Sequence, residues 1–436
     1  MISLTGNIKA NHDARKAVFM KRYRKKIVKK ILCSFMAVIT VFSLPAAAQA
    51  AEDGTYQETP IVTATPTPNP HTQYYNQAPD TDSIKGWPAG PKIEGESAIL
   101  VDMITGAVLY SKNADKAQYP ASITKIMTSL LASEHLDMNG KIIMSQSAAH
   151  GITVSDSSSI YADTGEEFTM EQAMMAVMLQ SANEMTLALA ENTSGSVKKF
   201  VELMNLKARQ LGCTNTHFNN PHGLPDEMHY TTAGDMAKIA RAAWFNPTFR
   251  RFVTTGYYEI PPTNVFGETR YLLNHHKMMA GQQYAYEGVL GGKTGYTEAA
   301  GNTLVTYARR GNMYLVAVVM QSVNGAYSDT AALLDYGFNN FTRSAVRAGT
   351  EDISISCLPA EKYILKDYRN SVLFYSLRTP SVTLPNGVDV ESLSSSRTLK
   401  KNPAGLPLLE TDYIFNGHQV GTARHYQKTL FSDLLL

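Results

Sequence analysis

The stretch Asn302 to Val323 (NTLVTYARRGNMYLVAVVMQSV) constrains the fold more than any other, because two β-rich runs turn back on each other around Arg310-Gly-Asn312. Just before it stands Gly288 to Thr297 (GVLGGKTGYT), whose Gly-Lys-Thr looks like the end of a phosphate-cradling loop. Such a loop needs a glycine five places before the Gly-Lys pair, and that place is Glu287. It should also lead into a helix, whereas this stretch leads into strands. Lys293 and Thr294 are therefore expected on a strand at a sheet edge.

The rest of the chain supplies partners for those strands. Ala98 to Asp102 and Ala107 to Tyr110 flank the turn Ile104-Thr-Gly106 as a hairpin. Pro120 introduces a helix over Ser122 to His135, with Ile123, Ile126, Met127, Leu130 and Leu131 at helical spacing. Further helices are predicted over Thr169 to Leu179, Glu184 to Asn192, Ser196 to Leu211 and Thr232 to Phe245, with a last one over Asp329 to Phe338. The order strand pair, helical block, strand block, helix predicts an α+β fold whose antiparallel sheet has its first and last strands far apart in sequence. Beyond about Arg347, short β runs such as Ser371 to Tyr375 and Gln419 to Arg424 predict a small C-terminal β domain.

The N-terminal part reads as an export signal. Lys21 to Lys26 is cationic, Ile31 to Leu44 is apolar, and Ala48-Gln-Ala50 is a small-x-small cleavage site, so the mature chain is expected to begin at Ala51. The 14 apolar residues fall short of the ~20 that cross a bilayer. Residues 1–30 hold ten of the 40 Lys+Arg and one of the 38 Asp+Glu, so the remainder has 30 basic against 37 acidic groups, a balance of −7. Such a protein is a poor nucleic-acid binder. Of three cysteines only Cys213 and Cys357 follow the signal, and no structural disulfide is expected. No metal site or cofactor is expected either: His222 and His229 stand seven apart, His275 and His276 are adjacent, and all four read as loop or surface histidines. Residues 51–91 are rich in Pro, Thr, Asn and Gln and read as a tether. The expected organisation is thus a signal peptide over 1–50, a linker over 51–91, a main domain over 92–345 and a β-rich domain over 346–436.

A serine nucleophile needs a base within hydrogen-bond reach. Ala121-Ser-Ile-Thr-Lys125 offers Ser122 and Lys125 on one helix face. The pattern is common by itself, since Ser196-Val-Lys-Lys199 also fits, and S-x-N occurs at three places. Chain order discriminates: S-x-x-K, then S-x-N, then K-T-G assembles only from Ser122/Lys125, Ser181/Asn183 and Lys293-Thr-Gly295. With Pro120-Ala-Ser-Ile-Thr-Lys-Ile-Met-Thr128, Met178-Leu-Gln-Ser-Ala-Asn-Glu184, Asn220-Pro-His-Gly-Leu224, Tyr230-Thr-Thr-Ala-Gly-Asp-Met236 and Gly292 to Thr297, the chain resembles low-molecular-mass penicillin-binding proteins of the serine D-alanyl-D-alanine carboxypeptidase family, from about Ser97 to Phe341. The resemblance implies a two-lobed catalytic domain of the serine β-lactamase/DD-peptidase type.

It also implies roles. Ser122 would attack the carbonyl between two D-alanines, with Lys125 as neutral base. Ser181 would relay a proton to the leaving group, and Asn183 would hold the substrate amide and Lys125. The oxyanion would sit between the amides of Ser122 and Tyr296. Lys293 and Thr294 would read the terminal carboxylate, and Gly295 would clear the strand for an extended peptide. The implied partners are a peptidoglycan stem ending in D-Ala-D-Ala and β-lactams as covalent inhibitors, outside the cytoplasm, with peripheral membrane or wall association left open. Where many relatives place a carboxylate-binding arginine, this chain has Asn324-Gly-Ala-Tyr-Ser328, and its last residues, Leu430 to Leu436, are only a stub of an amphipathic helix. The alternatives are a D,D-endopeptidase on cross-links, a sensing or wall-binding protein without turnover, and a β-lactamase; the last lacks Glu-x-x-Leu-Asn between Asn183 and Lys293.

Overall fold

The computed structural model describes residues 73–154, 157–346, 351–354, 371–376, 379–401 and 407–427. The expected export signal, linker residues 51–72, Cys357 and the stub at Leu430 to Leu436 lie outside the described residues.

Along the chain β1 (Ser97–Asp102) and β2 (Val108–Lys112) form the first hairpin. β3 (Lys141–Ile143) pairs with β4 (Glu167–Thr169), and β5 (Tyr257–Ile260) pairs with β6 (Arg270–Leu273). β7 (Val289–Thr297), β8 (Gly301–Arg310) and β9 (Met313–Ser322) make a long meander. The main sheet is antiparallel in the order β2-β1-β9-β8-β7. β1 lies against β9 with Ser97 opposite Met320 and Asp102 opposite Leu315, which closes the sheet across more than 200 intervening residues. β7 is an edge strand, as expected from sequence.

Side chains alternate across the sheet and feed two cores. Ile99 and Val101 of β1, Val305 and Tyr307 of β8, and Val316, Val318 and Met320 of β9 face a helical lobe. Leu100, Leu304, Leu315, Ala317 and Val319 face the other way. Burial on both faces explains the near-continuous apolar run of β9. The lobe is built from α1 (Lys125–His135), α2 (Gln146–His150), α3 (Met170–Leu179), α4 (Asn183–Ser194), α5 (Val197–Gln210), α6 (Ala233–Phe245) and α7 (Pro247–Val253). Their starts are written locally: Thr169 and Gln172 form a reciprocal capping box on α3, Ser196 and Thr232 cap α5 and α6, and Asn246 caps α7 ahead of Pro247. α8 (Ala326–Asn340) covers the second core.

Two expectations change. Residues 73–91 are not a tether. A 3-10 turn over Asp80–Ser83 and the buried Trp87 pack on the first hairpin, Trp87 Nε1 donates to the Leu109 carbonyl at 2.8 Å, and the Tyr74 carbonyl accepts from the buried Lys112 amine at 2.7 Å. A polar composition hid one aromatic anchor, and one buried indole is enough to pin a short segment.

The boundary at 346 is also not a break in packing. β10 (Phe341–Ala345) pairs with β13 (Ser381–Pro385), while β11 (Glu351–Ser354), β12 (Ser371–Ser376), β14 (Ser394–Lys401), β15 (Pro407–Phe415) and β16 (His418–Gln427) form a second sheet in the order β11-β12-β16-β15-β14. Val382, Leu384 and Val420 share the core of Leu100 and Leu315, and Thr383 Oγ1 donates to Asp102 Oδ2 at 3.0 Å.

Candidate active site

Ser122 does not lie on the long helix itself. Ala121–Thr124 is a 3-10 turn, and α1 starts at Lys125. Ala121 takes φ +50°, a left-handed conformation that costs a non-glycine residue ~1–3 kcal/mol and is held by its surroundings. Two contacts hold it. Thr303 Oγ1 of β8 donates to the Pro120 carbonyl at 2.9 Å. On β7, a Cβ at Gly295 would come within 2.8 Å of the Ser122 amide nitrogen and 2.4 Å of Thr303 Oγ1. Glycine at 295 therefore lets the edge strand approach the serine's own turn, rather than clearing room for a substrate.

Lys125 is fully buried, and its Nζ has three partners: Ser122 Oγ at 3.0 Å, Asn183 Oδ1 at 2.7 Å and the His222 carbonyl at 2.7 Å. Burial, and then the nearby Lys293 charge, hold its pKa well below the ordinary lysine value, against an opposing pull from Glu184. In the neutral amine, the Asn183 and His222 oxygens would occupy the two N–H groups, leaving the lone pair facing Ser122 Oγ.

Ser181 sits in the tight turn between α3 and α4 at φ +58°. Its hydroxyl is buried and, among the described residues, without a hydrogen-bond partner, an unusual state that a bound group would relieve. Asn183 opens α4, and its amide N–H donates to the Ser158 carbonyl at 2.9 Å. Next to it, the buried Glu184 carboxyl accepts from Ser159 Oγ at 2.7 Å and from the Ile160 amide at 2.8 Å, and burial raises its pKa.

Lys293 is buried on β7, its Nζ donating to the Thr294 carbonyl at 2.9 Å, and burial pushes its pKa down to about 7. Thr294 is half-buried, and the Tyr296 side chain is 64% exposed. The strand is backed by His276, whose Nε2 meets Thr306 Oγ1 at 2.8 Å and whose ring would lie 2.6 Å from a Cβ at Gly292.

Sequence reasoning missed the loop Asn219 to Gly223 as part of the site. It supplies the His222 carbonyl, and Gly223, at φ +91°, lies so close to the turn that a Cβ there would fall 1.9 Å from the Ala121 carbonyl oxygen. A main-chain oxygen has no sequence signature, although the glycine is a trace of the close approach. The histidines need correcting as well: His229 and His276 are fully buried rather than on the surface. Buried ring nitrogens need partners: His229 finds two backbone amides and Thr124 Oγ1, while His276 has Thr306 Oγ1 at Nε2 and, among the described residues, none at Nδ1. Cys213 is buried with a free thiol.

Residues 85–324 match the family model described as D-alanyl-D-alanine carboxypeptidase. The chain is 38% identical over 253 residues to D-alanyl-D-alanine carboxypeptidase DacF of Bacillus subtilis, covering 57% of this chain and 63% of the relative, so it spans just under two thirds of that protein. It is 32% identical over 323 residues to DacA of Haemophilus influenzae, covering 72% of this chain and 77% of the relative. Among solved structures, penicillin binding protein 5 from Haemophilus influenzae superposes with a TM-score of 0.61 at 27% identity, over 78% of this chain and 98% of that one. A Streptomyces K15 DD-transpeptidase variant superposes with a TM-score of 0.54 at 29% identity, over 57% and 99%.

Proposed function

Since the chain belongs to the D-alanyl-D-alanine carboxypeptidase family, we propose that it is a serine hydrolase that removes the terminal D-alanine from peptidoglycan stem peptides through an acyl-enzyme on Ser122. The observation that carries this reading is the Lys125 amine, buried, destabilised as a cation and 3.0 Å from Ser122 Oγ.

Neutral Lys125 takes the hydroxyl proton as Ser122 Oγ attacks the carbonyl of the penultimate D-alanine. The oxyanion forms between the backbone amides of Ser122 and Tyr296, a placement supported by the close approach of Gly295 to the Ser122 nitrogen. Each such donor is worth ~3–4 kcal/mol of barrier. Ser181, whose hydroxyl has no hydrogen-bond partner among the described residues, passes a proton to the leaving amine. Asn183 gives its side-chain oxygen to Lys125 and turns its amide nitrogen to the substrate. An extended peptide lies along the outer side of edge strand β7. There Lys293 and Thr294 read the terminal carboxylate. Water then attacks the acyl-enzyme and restores Ser122. A β-lactam presents a strained amide to the same serine and acylates it.

We also propose that the protein works outside the cytoplasm. The support is the cationic run Lys21 to Lys26, the apolar run Ile31 to Leu44 and Ala48-Gln-Ala50. Among the described residues no helix is long and apolar enough to cross a membrane.

The test is incubation of the protein with a pentapeptide stem, and separately with a cross-linked dimer. Release of free D-alanine from the stem, abolished in Ser122→Ala, is expected. No release, or equal release by Ser122→Ala, refutes the proposal, and cleavage of the dimer in preference to the stem makes the protein an endopeptidase.

A further inference from the structure

The His222 carbonyl takes one of the three hydrogen bonds of Lys125, yet it belongs to a loop 97 residues further along the chain. Something must hold that loop to within a few tenths of an ångström. Two side chains bridge the segments: Thr128 of α1, whose Oγ1 donates to the Pro221 carbonyl at 2.6 Å, and His229, 1% exposed, which reaches the Ser122 to Lys125 turn itself.

Its ring is used on both sides. Nδ1 accepts from the Asn219 amide at 3.0 Å and from the Asn220 amide at 3.3 Å. A nitrogen accepting two backbone N–H groups carries no proton, so the neutral ring holds its hydrogen on Nε2. Nε2 lies 2.9 Å from Thr124 Oγ1, to which it donates. Thr124 is the residue between Ser122 and Lys125 that closes the 3-10 turn. The loop then continues through Asn220, whose Oδ1 accepts from the Gly223 amide at 2.7 Å, to the point where Gly223 rests on the Ala121 carbonyl.

We propose that His229 is a positioning residue of this site, a neutral buried clasp between the Asn219 to Gly223 loop and the Ser122 to Lys125 turn, which keeps the His222 carbonyl on one Lys125 N–H and so aims the amine lone pair at Ser122. The inference rests on the acyl-enzyme reading above. Burial holds the ring neutral, with a pKa near 3; the charged and titratable groups facing it are Asp226, which opposes the shift, and His217 and Lys125, which add to it. The edge-on Phe218 ring, 5.6 Å between centroids, walls one side. No proton moves through His229: its two nitrogens are already committed, and it touches neither Ser122 nor the substrate-facing strand.

The experiment measures acylation of the full chain by a fluorescent penicillin under single-turnover conditions from pH 5 to 10, with thermal melts alongside. The variants are His229→Asn, which cannot span both partners, and the pair Thr124→Val and Thr124→Ser, which removes and then restores the hydroxyl at nearly constant shape. Loosening the loop is expected to lower the plateau acylation rate ~10²-fold in His229→Asn and Thr124→Val, the cost of misplacing a reacting group by about an ångström. The acid limb should also move to lower pH, because the carbonyl lost from Lys125 had favoured its ammonium form. Thr124→Ser should keep both the rate and the limb close to wild type.

The proposal is overturned if Thr124→Val acylates at the wild-type rate with the wild-type limb. It is equally overturned if the rate falls only with the folded fraction while the limb stays in place, the mark of a purely structural role. If His229→Asn does not fold, the Thr124 pair decides. Failure of the wild-type protein to acylate at Ser122 would instead refute the acyl-enzyme reading itself.

Discussion

Gly295 and Ser122 meet backbone to backbone: a methyl group on Gly295 would stand 2.8 Å from the Ser122 amide nitrogen. The edge strand and the nucleophile's turn are thus fixed against each other, with the Thr303 hydroxyl, itself bonded to the Pro120 carbonyl, lodged beside the contact. Gly295→Ala is expected to push the strand away from the turn and open the pocket between the Ser122 and Tyr296 amides. Acylation by a fluorescent penicillin should fall by about 10²-fold, the cost of one lost oxyanion donor. The melting temperature should fall modestly, since overpacking of this kind costs ~1–3 kcal/mol. Unchanged acylation would mean that the strand does not contribute to the oxyanion pocket.

The two buried lysines predict a two-sided pH profile. Lys125 must be neutral to take a proton, so acylation falls as pH drops through its depressed pKa. Lys293, held at about 7 by burial, loses its charge as pH rises through that value. Recognition of a free carboxylate should therefore weaken above about pH 7, seen as a rising KM for a peptide acid and little change for the corresponding ester. Lys293→Gln removes the cation that repels a proton from Lys125, so the acid limb should move to higher pH. A limb that stays put in Lys293→Gln would show that the Lys293 charge does not contribute to the depressed Lys125 pKa.

Arg270 on β6 and Glu166 form a buried two-pronged ion pair, with Nη1 to Oε1 at 2.8 Å and Nη2 to Oε2 at 3.1 Å, and Arg270 Nε also donates to the Ile160 carbonyl at 3.0 Å. Arg270→Met strands the carboxylate and should cost ~3–5 kcal/mol in urea unfolding. The double variant Arg270→Met with Glu166→Leu should recover most of that loss. Recovery is the informative arm, because it separates an unpaired charge from lost packing.

Asp329, near the start of α8, accepts from the Glu94 amide at 2.9 Å and the Gly95 amide at 2.8 Å, tying the helix to the chain entering β1. Burial pushes its carboxyl up to about 6, from 3.8. The folded state therefore holds a proton that the unfolded chain releases near pH 4. The stability linked to that proton is complete below about pH 4 and is lost as pH rises through about 6, an effect of order 2–3 kcal/mol. Asp329→Asn should flatten this part of the curve of melting temperature against pH. An unaltered slope would assign it to other carboxyls.

Much of the fold was legible because periodicity reports burial. The apolar run of β9, the turn Arg310-Gly-Asn312 and the spacing of Ile123, Ile126, Met127 and Leu130 place strands and helices directly. The segment 73–91 was misread because a composition average gives no weight to one tryptophan, while burial of that single ring decides whether the segment packs. The site was legible where it uses side chains in a fixed chain order and illegible where it uses main chain. Nothing in the letters marks the His222 carbonyl, and a lone histidine at 229 looks like any other polar residue.

By itself the sequence determined which groups are available and in what order they come: two serines, two lysines, an asparagine, and a threonine and a glycine on an edge strand, set into an α+β scaffold. Only the tertiary structure decided what each group is next to, and so what its chemistry becomes. Burial and the neighbouring Lys293 push the pKa of Lys125 well below the ordinary lysine value, and two oxygens from distant segments orient its nitrogen. Proton affinity and direction depend on neighbours and dielectric, which a linear order of residues does not contain.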